Sequence, residues 1–112
     1  MQRIKGTTIT ITKGDTLNLS LEITLPDGNP YLVKQGDEIR FALKRGYDWE
    51  NVLIRKVIPH DTMTLRIEAS ETKRLMPCYP DQAYVYDIQI TMEDGTVDTI
   101  IAGRFIVEPE VE

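Results

Sequence analysis

Residues 84–107 constrain this chain more than any other stretch. Tyr84, Tyr86, Ile88 and Ile90 alternate with Val85, Asp87, Gln89 and Thr91, and that period of two predicts a strand buried on one face. Asp94 and Gly95 follow as a hairpin signal, because both central residues of a type I′ turn need a positive φ. A two-residue loop sets Met92 against Val97, Ile90 against Thr99, Ile88 against Ile101 and Tyr86 against Gly103, so the apolar sides coincide. A three-residue loop would set Ile90 against Asp98 and Thr91 against Val97. The pattern therefore predicts the two-residue loop, with the Tyr86 ring covering the bare backbone of Gly103.

The same period recurs upstream. Ile9 and Ile11 alternate with threonines in residues 7–12, and Leu17, Leu19, Leu21 and Ile23 alternate with polar residues in 17–24. Ile39, Phe41 and Leu43 mark another strand, as do Met63, Leu65 and Ile67; residues 52–58 are apolar on both faces, which leaves their facing open. Gly14-Asp15, the run from Pro26 to Pro30, and Gln35-Gly36-Asp37 supply turns. Ser70 is placed to cap a short helix through about Met76, stopped by Pro77, with Lys73 and Arg74 suiting its last turn. From about Glu108 the chain reads as a short, frayed acidic tail. Seven or eight short strands at this spacing predict one all-β domain over residues 1–112, an antiparallel sandwich or barrel, with the helix crossing between two packed sheets. In such a sandwich residues 7–12, with neither proline nor charge, make an unprotected edge.

The net charge of −5 argues against non-specific nucleic-acid binding, which needs a basic surface. Three dibasic pairs, Lys44-Arg45, Arg55-Lys56 and Lys73-Arg74, are scattered along the chain and read as solvated surface. Cys78 is alone, so neither an internal disulfide nor a zinc site of paired thiolates is expected, which suits a reducing compartment. The first residues lack the apolar core of a signal peptide, and no run approaches the ~20 apolar residues of a membrane span. The expectation is a protein made in the cytoplasm, with no membrane or nucleic-acid partner.

Candidate chemistry is sparse. His60 beside Asp61 could be a base held by a carboxylate, but a Pro-His-Asp turn with no neighbouring nucleophile reads as a turn histidine. Cys78 lies between two prolines and reads as inert. Asp37-Glu38 and Glu93-Asp94 are turn carboxylates without calcium-loop spacing, where Asp serves the backbone. No phosphate loop or nucleophile elbow is present, so neither catalysis nor a cofactor is expected. Tyr84 and Tyr86 belong to a core face, although the stretch from Asp81 to Asp87 resembles, one residue out of step, the tyrosine corner of immunoglobulin-like folds. Tyr47 and Trp49 differ: they sit in a polar loop beside Gly46, and aromatics there are the candidate partner-binding residues, with Trp49 the larger contributor.

Several short stretches also resemble a known family. They are Gly14-Asp15-Thr16, Leu25-Pro26-Asp27-Gly28-Asn29-Pro30, Ile39-Arg40-Phe41, the strand from Tyr84 to Ile90, Asp94-Gly95-Thr96-Val97 with Thr99, and Gly103-Arg104-Phe105. Their order is similar to the immunoglobulin-like N-terminal domain of phage baseplate upper proteins and of related small prophage-encoded tail proteins. The resemblance implies an immunoglobulin-like β-sandwich that docks within a tail or baseplate, with other virion proteins or a second copy as partners. It implies assembly in the host bacterial cytoplasm and then residence in the virion. Baseplate upper proteins continue into fibre-forming segments, whereas this sequence stops at Glu112. The expectation is a stand-alone virion component, or one without the carrying role. A carbohydrate-binding sandwich that stacks sugar on Tyr47 and Trp49 is the alternative.

Overall fold

The computed structural model describes residues 2–5, 7–24, 28–46, 50–78 and 82–110, the first four by their backbone alone. Among these residues, eight strands and one helical turn follow in the order β1 (Gln2–Lys5), β2 (Thr8–Thr12), β3 (Leu17–Ser20), β4 (Glu38–Lys44), β5 (Val52–Ile58), β6 (Thr64–Ile67), α1 (Ala69–Thr72), β7 (Tyr84–Thr91) and β8 (Val97–Glu108). Six strands form one sheet in the order β1-β2-β8-β7-β4-β5, and β3 pairs with β6 in a second. The all-β expectation holds, but the fold is not wholly antiparallel. β2 runs parallel to β8, with Ile9 beside Phe105 and Ile11 beside Val107. That pairing joins strands from opposite ends of the chain, so no local pattern announces it.

Alternation decides what is buried. β7 alternates buried and half-buried residues along its whole length, as the period of two requires. Its inward side chains meet Ile39, Phe41 and Leu43 of β4, and Phe105 of β8, in one core to which Leu17, Leu65 and Ile67 of the second sheet also belong. The rings of Phe41, Tyr86 and Phe105 form a triangle: Phe41 and Tyr86 are stacked at 5.7 Å between centroids, Phe41 and Phe105 tilted at 6.4 Å, and Tyr86 and Phe105 edge-on at 6.4 Å, which suits aromatic quadrupoles. In β5, Ile54 and Ile58 face inward, which settles the facing left open by the sequence.

Four expectations are corrected. Residues 7–12 are not an edge, because β1 pairs along one side of β2 and β8 along the other. The regular strand from Leu17 ends at Ser20 instead of continuing to Thr24, although Thr24 and Pro30 form an isolated bridge. The helix is capped by Glu68 rather than Ser70, and it ends at Thr72. Glu68 and Glu71 make a reciprocal capping box, and the buried Thr72 hydroxyl donates to the Asp15 carbonyl at 2.7 Å. The tail does not begin at Glu108, which still belongs to β8 and whose carbonyl accepts from the Lys13 N–H at 2.8 Å.

The last hairpin is half as expected. Tyr86 opposes Gly103 and Ile88 opposes Ile101, but nearer the turn Ile90 opposes Asp98 and Thr91 opposes Val97. The loop has three residues: Gly95 N–H donates to the Met92 carbonyl at 2.9 Å, and Met92 N–H to Thr96 at 2.8 Å. Gly95 takes φ +91° while Asp94 does not turn positive, the pattern of a type I turn closed by a glycine bulge. The one-residue difference is absorbed beyond Ile88, where Ile100 is left without an opposite number. Asp94 Oδ1 accepts the Thr96 N–H at 2.9 Å, so this carboxylate serves the turn, as the sequence suggested.

Gly103 is held for a different reason. A Cβ there would overlap the Thr7 carbonyl oxygen, the same atom that accepts the Tyr86 hydroxyl at 2.6 Å. The bare backbone is thus occupied by the chain entering β2 as well as faced by an aromatic ring. Gly103→Ala forces that segment outward and should cost about 1–3 kcal/mol, as overpacking does. Urea melts read the loss, and an unchanged midpoint would show that the β2 entry gives way freely.

Asp37 ties the far end. Its Oδ2 accepts from the Tyr31 hydroxyl at 2.7 Å and the Lys34 N–H at 3.0 Å, and its Oδ1 from the Glu93 N–H at 3.2 Å. The Tyr31 hydrogen bond, then that of Lys34, hold its carboxyl below the ordinary aspartate range. A depressed folded pKa means that the stabilisation is full at neutral pH. It is lost as pH falls from the unfolded value, about 3.9, through the lower folded one. Asp37→Asn should therefore melt earlier than the native chain at pH 7, and the gap should narrow below pH ~4. A gap that stays constant in thermal melts across that range would contradict the assignment.

Candidate docking surface

Where β4 ends, β5 begins and β7 begins, an open cleft of about 620 Å³ lies between the large sheet and α1. Strand alternation and the helix supply its parts. Leu53 and Ile54 come from β5, Tyr84 from the start of β7, and Leu75 and Met76 from the chain after α1. Met76 is 68% exposed and Leu53 48%, whereas Leu75 and Tyr84 are buried.

The rim carries charge. Arg45 holds its guanidinium 4.9 Å from the Tyr84 ring centroid and donates through Nη1 to the Gln82 carbonyl at 2.6 Å. Arg74 lies on the same rim, with Glu71 as the carboxylate there. Lys56 Nζ meets Glu71 Oε1 at 2.5 Å. Partial burial pushes the Glu71 carboxyl up, but the Lys56 ammonium and the Glu68 N–H outweigh it and hold it below the ordinary glutamate range. Among the described residues, two guanidiniums thus remain at the mouth after the carboxylate has been matched by Lys56, on a chain of net charge −5.

The dibasic pairs are therefore more than scattered surface. Neighbouring residues on a strand point to opposite faces, so each pair at β4 and β5 divides. Arg45 and Lys56 go to the cleft side, while Lys44 and Arg55 go to the outer face of the large sheet. There, with Arg40, they line a shallow groove of about 240 Å³.

Tyr84 anchors the cleft floor. Its hydroxyl accepts the Met76 N–H at 2.9 Å and lies 3.2 Å from the Met76 carbonyl, eight residues upstream. The ring is 3% exposed, so the hydroxyl satisfies itself against backbone and pins the segment after α1.

The remaining candidates are placed as follows. Tyr47 and Trp49 lie outside the described residues; Arg45 and Asn51, on either side of them in the chain, both line the cleft. His60 is exposed beside a groove of about 270 Å³ that also takes in Leu21, Tyr31 and Met63. Asp61 turns from it to its own backbone, accepting the Thr62 N–H at 2.8 Å. Cys78 is half-buried and is tied to β8: its N–H donates to the Val107 carbonyl at 2.9 Å, and its Sγ accepts the Val107 N–H at 3.3 Å. Among the described residues no group of three or more His, Cys, Asp or Glu side chains is placed to hold a metal ion. No helix in them is long and apolar enough to cross a membrane. No protein-family model and no curated protein matches the chain.

Removing the Tyr84 hydroxyl isolates its contribution. Tyr84→Phe keeps the ring and its packing, leaves the Met76 backbone to water, and should cost about 0.5–1.5 kcal/mol. Amide exchange should speed up selectively at Met76 and its neighbours. Uniform protection in that segment would mean that the hydroxyl holds nothing.

Proposed function

We propose that the chain is an immunoglobulin-like β-sandwich of a phage or prophage tail or baseplate, docking other virion proteins through protein–protein contacts rather than catalysing a reaction. Support for the sandwich comes from strand order. β8-β7-β4-β5 follows the order of the larger immunoglobulin sheet, β3-β6 supplies the facing pair, and α1 lies on the connection between the two. The Tyr84 hydroxyl, bonded back to the Met76 backbone from the start of β7, fits a tyrosine corner.

The observation that carries docking is the open cleft: exposed Leu53 and Met76 over a buried floor of Ile54, Leu75 and Tyr84, with two guanidiniums at the rim. Interfaces favour such a combination, with Arg, Met and aromatics enriched and long apolar side chains desolvated at the centre. The tail setting rests on the sequence resemblance alone.

Purified particles from the phage or prophage that encodes the chain provide the test. Antibody against the chain should label the tail end in electron micrographs. Met76→Asp, an exposed change that leaves the core intact, should lower the amount of chain carried by the particles by tenfold or more. Particles free of the chain would overturn the tail assignment. Undiminished incorporation of Met76→Asp would move docking away from the cleft. Saturable glycan binding abolished by Trp49→Ala would favour the carbohydrate-binding alternative instead.

A further inference from the structure

Among the described residues, β5 is the outermost strand at one side of the large sheet, and its strand partner there is β4. Among the described residues, no backbone group of β5 bonds to any segment other than β4. An edge with free N–H and C=O groups is a template for another strand unless something guards it. The usual guards are proline, bulges, short length and projecting lysines. β5 has seven residues and none of them is proline; a bulge near its start leaves Leu53 without an opposite number on β4, between Val52 opposite Lys44 and Ile54 opposite Leu43, and the ladder is regular from Ile54 to Ile58. Its lysine does not project freely, because Lys56 is engaged by Glu71.

Past the bulge the outward residues of β5 are Arg55 and Val57, both exposed, Val57 at 61%, and the bulged Leu53, 48% exposed, lies between that row and the cleft. Arg55 lies opposite Ala42 and Val57 opposite Arg40, so Arg40 and Arg55 stand on the same face, with Lys44 in the same groove. Glu38 approaches Arg40 at 3.6 Å, and Asp87 also borders the groove. Three cations thus face two carboxylates beside the exposed Val57. Cross-strand pairing rewards apolar residues opposite apolar ones and opposite charges face to face, and penalises like charges.

We infer that β5 is a strand-addition site for an extended acidic segment of a partner protein, one that sets a carboxylate opposite Arg55 and an aliphatic side chain opposite Val57. This rests on the reading of the chain as a docking module, but not on the tail setting. A second copy fits less well: two β5 strands paired antiparallel about their centre would bring Arg55 against Arg55 of the other copy. The same side chain that disfavours self-pairing selects the acidic strand.

The probe is a capped eight-residue peptide alternating valine with glutamate, titrated into isotopically labelled protein and followed by NMR. The expected result is saturable perturbation centred on the amides of residues 52–58. A peptide with lysine in place of glutamate should bind at least tenfold more weakly, and Arg55→Glu should reverse that preference. N-methylation of alternate peptide amides should abolish binding to the native protein, a readout that needs no folded variant. No perturbation up to millimolar peptide, equal binding of both peptides, indifference to N-methylation, or dimerisation through β5 in sedimentation would each overturn the proposal. Native and Arg55→Glu chains incorporated equally into particles would do so while leaving tail docking standing.

Discussion

Two buried tyrosine rings on one strand hold the fold together at its ends. A phenol sunk in an apolar core must find a partner for its hydroxyl, because leaving it unpaired costs more than the bond itself is worth. Tyr86 finds the Thr7 carbonyl and Tyr84 finds the Met76 backbone. β7 therefore does more than pair with β4 and β8. It reaches through the core to fix the chain entering β2 and the chain leaving α1, two segments with no regular ladder of their own. The close passage of Thr7 over Gly103 and the open cleft under Arg45 both follow from those bonds.

Much of this was legible from alternation. The strands around Ile9, Phe41 and Leu65, and the burial of Tyr84 and Tyr86, follow from period two because each strand has one face in the core. β1 was not legible, since Gln2–Lys5 has a single apolar residue and exists as a strand through its ladder to β2. Edge status was misread for the same reason: whether residues 7–12 are an edge depends on β1 and β8, one unmarked and the other ninety-odd residues away. The turn at Asp94-Gly95 shows a different failure. Alternation alone treats the whole hairpin as rigid, whereas a bulge at Ile100 lets a three-residue loop and an in-register base coexist.

The candidate surface was partly visible as dibasic pairs, but their meaning needed the pleat. Lys44 and Arg45 are adjacent in sequence and serve opposite faces, as do Arg55 and Lys56. Tertiary proximity then added Arg74, which no spacing rule connects to Arg45. Tyr47 and Trp49 stood out for their residue type alone, and the cleft is bordered by their chain neighbours Arg45 and Asn51.

The parallel pairing of β2 with β8 has a kinetic consequence. Ile9 meets Phe105 only after residues 10–104 between them have been made, and closing so long a loop carries an entropy cost that a hairpin avoids. The β4–β5 and β7–β8 ladders are local and can form first. On a ribosome, Ile9 and Ile11 emerge early and wait for the last strand, keeping two aliphatic side chains of the finished core in solvent while synthesis proceeds. The β1–β2 ladder can form during that interval, so β1 shields one side of an aggregation-prone strand until its permanent neighbour arrives.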